Sequence, residues 1–128
     1  MTKKILIVDD SADAVRLYSH ALSSIGYSTL VADDGDSAIR MLGADLFDAA
    51  LIDLRLPGSV SGFDVLAFAR GNEKNRNIAA IVLSGLGDQE EVRTRCIELH
   101  AECVTKGSIS LAELAQLVKS QIEKNERA

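Results

Sequence analysis

The feature that most constrains the fold is a fivefold alternation of short apolar runs and longer amphipathic segments. The apolar runs cover residues 4–9, 27–32, 48–53, 79–84 and 101–105. Several are apolar at nearly every position, as in residues 5–8, which is typical of strands buried on both faces. The alternation predicts an α/β fold, in which a parallel sheet is covered by helices on both sides.

The segments between the runs carry apolar residues at helical spacing, with recognisable start and stop signals. These helical patterns cover residues 14–25, 37–42, 62–70, 88–99 and 110–122. Gly26 follows the first as a C-terminal stop, and Ser110 is placed to cap the last. Asp88, with Glu91 three residues later, resembles a capping box. Residues 124–128 are polar and are expected to fray.

Composition and charge limit the possible functions. The chain of 128 residues fits one domain spanning 1–128. Its net charge is −5 and its basic residues are scattered, which argues against direct nucleic-acid binding. No apolar stretch reaches the length of a transmembrane helix, so no membrane partner is expected. His20 and His100 lack carboxylate or metal spacing and are predicted at the surface.

The two cysteines indicate a cellular compartment but no metal or redox site. Cys96 and Cys103 have neither metal-ligand nor redox spacing. Thiols in apolar surroundings are typical of small core residues in a reduced protein, so a cytoplasmic location is expected. Aromatic residues are scarce, at 4%, and the core is therefore expected to be aliphatic.

Polar residues end four of the five predicted strands. Asp9 and Asp10 end the first, Asp53 the third and Ser84 the fourth, while Lys106 directly follows the fifth. In doubly wound sheets, ligands bind beyond the carboxyl ends of the strands. We therefore expect these side chains to lie close together at one edge of the sheet.

Three carboxylates at one edge need a compensating charge. Two like charges about 4 Å apart repel by roughly 4 kcal/mol at an effective dielectric near 20. A hard cation such as Mg²⁺, which prefers oxygen ligands, would offset this repulsion. A metal beside carboxylates, a lysine and a hydroxyl is suited to phosphoryl transfer, and a carboxylate can itself accept the group as an aspartyl phosphate.

Taken together, these motifs resemble those of a response regulator receiver domain. The resemblance is carried by residues 7–11, residues 51–58, the strand end at residues 83–85 and the pair Thr105-Lys106. It covers nearly the whole chain, and five anchor residues in order are more specific than any single motif. It implies a flavodoxin-like, doubly wound sheet of five strands in the order 2-1-3-4-5, flanked by five helices.

The resemblance also implies a role for each anchor residue. Asp53 would be the phosphoacceptor. Mg²⁺ would be held by Asp9, Asp10 and Asp53, with the backbone carbonyl of Arg55 as a further ligand. Lys106 would contact the phosphoryl group, and Ser84 would move to hydrogen-bond it.

The function implied is a switch in a two-component or phosphorelay system. A sensor histidine kinase or a histidine phosphotransfer protein would supply the phosphoryl group, and a downstream effector protein would recognise the switched surface. Such a domain is a phosphoacceptor and not an enzyme, apart from slow self-dephosphorylation. The alternative is a receiver-like scaffold that binds partners without phosphorylation.

Three positions depart from the family pattern. Gly107 follows the lysine where the family usually has a cis-proline. A non-proline cis bond costs about 2.5–4 kcal/mol, so a trans bond or a reshaped loop is expected. Cys103 replaces the usual Tyr or Phe of the fifth strand, so output coupling is expected to differ. The loop 57–62 is one residue longer than usual, which would alter partner docking.

Two further positions correspond to those that set the lifetime of the phosphoryl group in the family. Here they are Arg55 and Leu86. Arg55 would pair with a phosphoryl oxygen, and Leu86 would exclude attacking water. Slow self-dephosphorylation is therefore expected.

Two other functions fit the sequence less well. A phosphohydrolase of the haloacid-dehalogenase type needs a second acid two residues after the nucleophile, where this chain has Arg55. A flavodoxin-like flavin carrier binds phosphate in its first loop, where Asp9 and Asp10 would repel it. The acidic run 33–36 is expected to form a solvated turn and helix start.

Overall fold

The structure, a computed structural model, describes residues 2–85 and 89–127. They form five strands: β1 (Lys4–Val8), β2 (Ser28–Ala32), β3 (Ala49–Asp53), β4 (Ala79–Ser84) and β5 (Glu102–Thr105). Five helices alternate with them: α1 (Ala12–Ser23), α2 (Gly35–Ala44), α3 (Gly62–Gly71), α4 (Glu90–Glu98) and α5 (Leu111–Arg127).

All five strands are parallel, in the order β2-β1-β3-β4-β5. This confirms the predicted α/β class and strand order. The register aligns Asp53 with Leu83 and Ser84 with Thr105, so the carboxyl ends of three neighbouring strands lie level. Residues that follow these ends therefore meet at one edge.

Two apolar layers hold the helices against the sheet, because successive side chains of a strand point to opposite faces. On one face Ile7, Leu51 and Ile81 pack with α1 and α5. On the other face Val8, Ile52 and Val82 pack with α2, α3 and α4. Most of the packing residues are aliphatic, as the sparse aromatic content predicted.

The observed α1, α2, α3 and α5 each extend beyond the predicted patterns, and α2 and α5 show why. α2 begins at Gly35 and not at residue 37, because the Asp34 carboxylate accepts a 2.7 Å hydrogen bond from the Ser37 N–H. That hydrogen bond lowers the pKa of Asp34. α5 continues through residues 124–127, where fraying was expected, and Glu126 pairs with Lys3 at 3.1 Å. No helix within the described ranges is both long and apolar enough to cross a membrane.

Two polar side chains form hydrogen bonds to backbone groups at the amino-terminal edge of the sheet, opposite the strand ends that carry the acids. Asn75 is 1% exposed. Its carbonyl accepts a 2.9 Å hydrogen bond from the Phe47 N–H, and its amide donates to Leu42 O and Asp45 O at 2.6 and 2.8 Å. This one side chain therefore fixes the end of α2 against the start of β3.

Arg70 is the second of these side chains. Its guanidinium donates hydrogen bonds to four backbone carbonyls, those of Leu99 (2.8 Å), Ile78 (2.7 Å), Arg76 (2.9 Å) and His100 (3.0 Å). Burial lowers the pKa of Arg70 from its usual value. The arginine thus ties the C-terminal end of α4 to α3 and to the entry of β4.

Candidate phosphorylation site

Three carboxylates meet at the carboxyl edge of the sheet. Asp9 directly follows β1 and is 3% exposed, Asp53 ends β3 and is 5% exposed, and Asp10 is exposed. Among the described residues, one oxygen from each of the three lies within 4.8 Å of the other two. The structure therefore brings together the three acids that the sequence placed at this edge.

Asp9 is held by the backbone on both sides. Its carboxylate accepts a 2.9 Å hydrogen bond from the Ser11 N–H, and its own N–H donates to Ala32 O at 3.1 Å. Burial raises the pKa of Asp9 and the Ser11 N–H opposes this, but the nearby charge of Asp53 adds to the rise. The protein alone thus leaves this carboxylate short of positive charge, and a hard cation with oxygen ligands fits the donor set.

Lys106 contributes one positive charge to the site. Its ammonium lies 3.0 Å from Asp53 Oδ1, and the same oxygen accepts a 3.1 Å hydrogen bond from the Arg55 N–H. Partial burial works to lower the pKa of Lys106, but the hydrogen bond and the charge of Asp53 outweigh it and raise the pKa. The lysine is therefore charged and aimed at the acid expected to react.

The start of α3 lies directly against the backbone of Asp53. A Cβ at Gly62 would lie 2.5 Å from Asp53 O, so this position has no room for a side chain. The Gly62 N–H donates to Leu54 O at 3.2 Å. A capping box between Ser61 and Asp64 starts the helix there. The capped helix end therefore supports the strand end that carries Asp53.

A cleft of about 280 Å³ opens beside Asp53. It is lined by Asp53, Leu54, Arg55, Ser84, Gly85 and Lys106. Since a water molecule takes about 30 Å³ of liquid volume, the cleft has room for a phosphoryl group and several waters. Ser84, 3% exposed, and the exposed Arg55 thus lie where the sequence predicted, whereas Leu86 lies outside the described residues.

The peptide bond before Gly107 is trans, one of the two outcomes expected from this residue. Within residues 2–85 and 89–127 there is no cis peptide bond. Gly107 has φ 82°, and the Ser108 N–H donates to Thr105 O at 3.1 Å to close a turn. Such turns favour glycine at the position with positive φ. The Lys106 N–H donates to Ser84 O at 3.0 Å, which continues the strand pairing to the lysine.

The longer loop 57–62 rests on the start of α2. Val60 fills the space in front of Gly35, where a Cβ would lie 2.5 Å from Val60 Cγ1. Gly58, with φ 88°, provides the bend. The sequence predicted an effect of this loop on docking but not this contact.

Tyr18 is a neighbour of the site that sequence reasoning missed. It is half-buried on α1, and burial, followed by the charge of Asp9, raises the pKa of its phenol. The charges of Lys106 and Asp53 also reach it. Tyr18 falls within the helical pattern of residues 14–25, and that pattern does not indicate its closeness to the acids. His20 and His100 are exposed, as predicted.

Both cysteines lie in apolar surroundings, as the sequence predicted. Cys96 is 1% exposed, and the half-buried Cys103 packs against the same apolar cluster, close enough to act on the pKa of Cys96. Burial and then the neighbouring Cys103 raise the pKa of Cys96 to about 12. Their sequence spacing did not indicate this contact.

Comparison with known proteins decides the family. The family model of the response regulator receiver domain matches residues 5–119. The chain belongs to this family. Receiver domains act in two-component signalling, where they are phosphoacceptors that bind Mg²⁺ and interact with histidine kinases and downstream effectors. This membership disfavours the dehalogenase-type hydrolase and the flavin carrier.

Relatives of two lengths resemble this receiver domain. It is 33% identical to the chemotaxis protein CheY of Pseudomonas aeruginosa over 122 residues, which cover 94% of each chain. It is 29% identical to the phosphate regulon transcriptional regulatory protein PhoB of Escherichia coli, covering 94% of this chain but 52% of PhoB. The chain therefore spans nearly all of the first relative and about half of the second.

A solved structure supports the same membership. It is the receiver domain of the sensor histidine kinase PA1611 from Pseudomonas aeruginosa, with a magnesium ion coordinated in its active-site cleft. The TM-score is 0.83 at 27% identity, over 96% of this chain and 99% of that one.

Proposed function

We propose that this receiver domain is a signalling switch that accepts a phosphoryl group on Asp53 from a phosphohistidine donor, with the help of Mg²⁺. The observation that carries the proposal is the meeting of three carboxylates within 4.8 Å beside a cleft into which Lys106 reaches. A buried carboxylate that is already oriented by the Arg55 N–H is a suitable nucleophile for this transfer.

The carboxylates of Asp9, Asp10 and Asp53 would hold the metal ion. The backbone carbonyl of Arg55, which lines the same cleft, would add an oxygen ligand. Bound Mg²⁺ supplies positive charge to the phosphoryl oxygens and to the acids. The likeness to the magnesium-containing PA1611 domain supports this assignment.

Lys106 and Ser84 would respond to the modified aspartate. While Asp53 is unmodified, the Lys106 ammonium pairs with its carboxylate at 3.0 Å. A phosphoryl group on Asp53 would offer more negative oxygens, and the flexible lysine would then pair with them. Ser84, at the end of β4 in the same cleft, would donate its hydroxyl to a phosphoryl oxygen.

The partners follow from this chemistry. The donor would be a sensor histidine kinase or a histidine phosphotransfer protein, and a downstream effector protein would read the switched surface. A cytoplasmic location belongs to the same proposal, since such donors act there and both cysteines are reduced.

Intact-mass measurement after incubation with Mg²⁺ and acetyl phosphate tests the proposal. One phosphoryl mass should be added, and the addition should be lost with EDTA or in Asp53→Asn. Asp45→Asn is the matched control, because Asp45 is an exposed acid at the end of α2, at the opposite edge of the sheet. Absence of an adduct in wild type, or an adduct that persists in Asp53→Asn, would contradict it.

The lifetime of the phosphoryl group is a finer part of the proposal. Arg55 is exposed beside the cleft, where its guanidinium can reach a phosphoryl oxygen, and Leu86 would exclude water. Decay of the phosphorylated protein should therefore be slow and should accelerate in Arg55→Ala. A half-life of seconds for wild type would contradict this.

The second candidate is a scaffold that binds partners without phosphorylation. Cys103, standing where an aromatic switch residue is usual, is the observation that favours it. The same mass measurement separates the two functions, since a scaffold would remain unmodified under every condition.

A further inference from the structure

We propose that Cys96 and Cys103 are a modification site: a pair of thiols that an oxidant such as hydrogen peroxide converts to a reversible intramolecular disulfide, linking α4 to β5. Cys103 packs against the buried cluster that contains Cys96, and it lies close enough to act on the pKa of that thiol. The phosphorylation chemistry proposed above makes no use of either.

The turn between the two elements explains why the thiols meet. The Ala101 N–H donates to Cys96 O at 2.8 Å, the His100 N–H donates to Ile97 O at 3.1 Å, and His100 has φ 55°. These are the features of a Schellman motif, which ends a helix and reverses the chain. The chain therefore returns beneath the last turns of α4 as β5.

The sheet register then aims Cys103 at the helix. Cys103 is paired with Val82, whose side chain belongs to the apolar layer under α2, α3 and α4. Cys103 packs against this same layer, and Cys96 is one of its buried members. Both sulfurs thus lie in one layer between helix and sheet.

Light packing of α4 and β5 allows the two sulfurs to approach each other and form a bond of about 2.05 Å. α4 buries Val92 and Cys96 within the described part of the chain, and β5 has no fully buried residue among its four described positions. A shift of these elements therefore disturbs fewer contacts than a shift of β3 or β4.

The different exposure of the two cysteine residues indicates which one reacts first. Cys103 is half-buried and meets the oxidant, whereas Cys96 is 1% exposed and stays protonated. Hydrogen peroxide transfers one oxygen to the Cys103 sulfur, which becomes a sulfenic acid, and the O–O bond breaks with release of one water. The Cys96 sulfur then attacks the Cys103 sulfur, the S–S bond forms and the S–O bond breaks, and the Cys96 proton leaves with the hydroxyl group as the second water. Two thiols and one peroxide give one disulfide and two waters.

The consequence for signalling rests on the proposed function. β5 leads directly into Lys106, and Thr105 pairs with Ser84. A disulfide would fix the spacing of α4 and β5, so we expect the oxidised form to transmit phosphorylation of Asp53 to this face less well. Formation of the bond itself requires neither Mg²⁺ nor phosphorylation.

Peptide mapping tests the proposal. The reduced, folded protein is treated with hydrogen peroxide, and the reaction is quenched. The protein is then unfolded in the presence of a maleimide, which labels any remaining thiol, and digested with trypsin. Cleavage after Arg95 and Lys106 places both thiols on one peptide, residues 96–106. This peptide should lose the mass of two hydrogens and take up no maleimide, and prior treatment with dithiothreitol should restore both maleimide sites.

Two single variants are the controls. In Cys96→Ser, dimedone should trap a sulfenic acid on Cys103, because no second thiol resolves it. In Cys103→Ser, the buried Cys96 should remain mostly alkylatable. Neither variant should give the peptide that lacks two hydrogens.

The proposal is overturned if the folded protein keeps both thiols alkylatable while the urea-unfolded chain forms the disulfide. It is also overturned if Cys103 is over-oxidised to sulfinic acid without a cross-link. Because the readout is the peptide mass, failure of Asp53 to accept a phosphoryl group would not change it.

Discussion

The central strands of the sheet are more deeply buried than the β5 edge. β3 and β4 are buried at every position, whereas no residue of β5 is fully buried. α3, behind Asp53, starts with a capping box, whereas Gln89 gives α4 no side-chain cap within the described residues. The carboxylate that is expected to react thus ends a fully packed strand, and the lightly packed elements lie beside it.

This contrast shows how the fold can both hold a reactive group and respond to it. Elements with few buried contacts open at low free energy, whereas core strands open only with the whole domain. A new charge at Asp53 would therefore shift α4 and β5 more readily than β3. Matched substitutions in the two regions should therefore change the free energy of unfolding by unequal amounts.

The largest expected difference is between two isoleucines. Ile81 on β4 is fully buried, and Ile81→Ala should reduce the free energy of unfolding by about 2–5 kcal/mol. Ile97 on α4 is 73% exposed, and Ile97→Ala should change it by no more than about 0.5 kcal/mol. Urea unfolding measures both changes. Equal losses of unfolding free energy in the two variants would contradict the difference in packing between β4 and α4.

Arg70 tests how α4 is anchored. Arg70→Gln removes charged donors from the carbonyls of Leu99 and Ile78, and should cost about 2–3 kcal/mol of unfolding free energy. Amide exchange should rise first at the end of α4. Arg40→Gln, at an exposed position of α2, is the control and should be nearly neutral. Unchanged exchange at residues 96–101 would show that the anchor is unimportant.

Two glycines of α3 provide a matched pair. Gly62→Ala places a methyl group 2.5 Å from Asp53 O, so it should cost about 1–3 kcal/mol and slow phosphorylation. At Gly71 a Cβ would meet no atom within 4 Å, so Gly71→Ala should stabilise by up to about 1 kcal/mol. Unfolding curves and the rate of adduct formation check both; a neutral Gly62→Ala would contradict the close contact.

The smallest effects are expected at the two helix starts. Ser61→Ala breaks the capping box of α3 and should cost about 1 kcal/mol. Gln89→Asp should add a cap to α4 and stabilise it by about 0.5–1 kcal/mol. Thermal unfolding measures both changes. If Gln89→Asp has no effect, the missing cap does not account for the weakness of α4.

The sequence pattern was sufficient to predict the strands and the meeting of Asp9, Asp10 and Asp53, whereas the strand order came from the resemblance to receiver domains. Apolar runs mark buried strands, and parallel strands bring their carboxyl ends to one edge, so the acids follow from local pattern. Boundaries were less certain: Asp9 and Tyr27 were assigned to strands but lie just outside β1 and β2.

Contacts between residues far apart in sequence could not be predicted in this way. Asn75 and Arg70 have ordinary loop and helix positions, and only the folded chain brings backbone carbonyls to them. Cys96 and Cys103 lack a recognised redox spacing because a Schellman turn, not a short motif, brings them together. Tyr18 was visible only as part of the helical pattern of residues 14–25.

Calorimetric titration with Mg²⁺ tests the central claim most directly, that carboxylates from separate strand ends gather closely enough to bind a dication. Wild type and Asp45→Asn should take up the ion with equal affinity, whereas Asp10→Asn and Asp53→Asn should bind it far more weakly. No uptake by wild type, or uptake that is unchanged in Asp10→Asn and Asp53→Asn, would contradict the account.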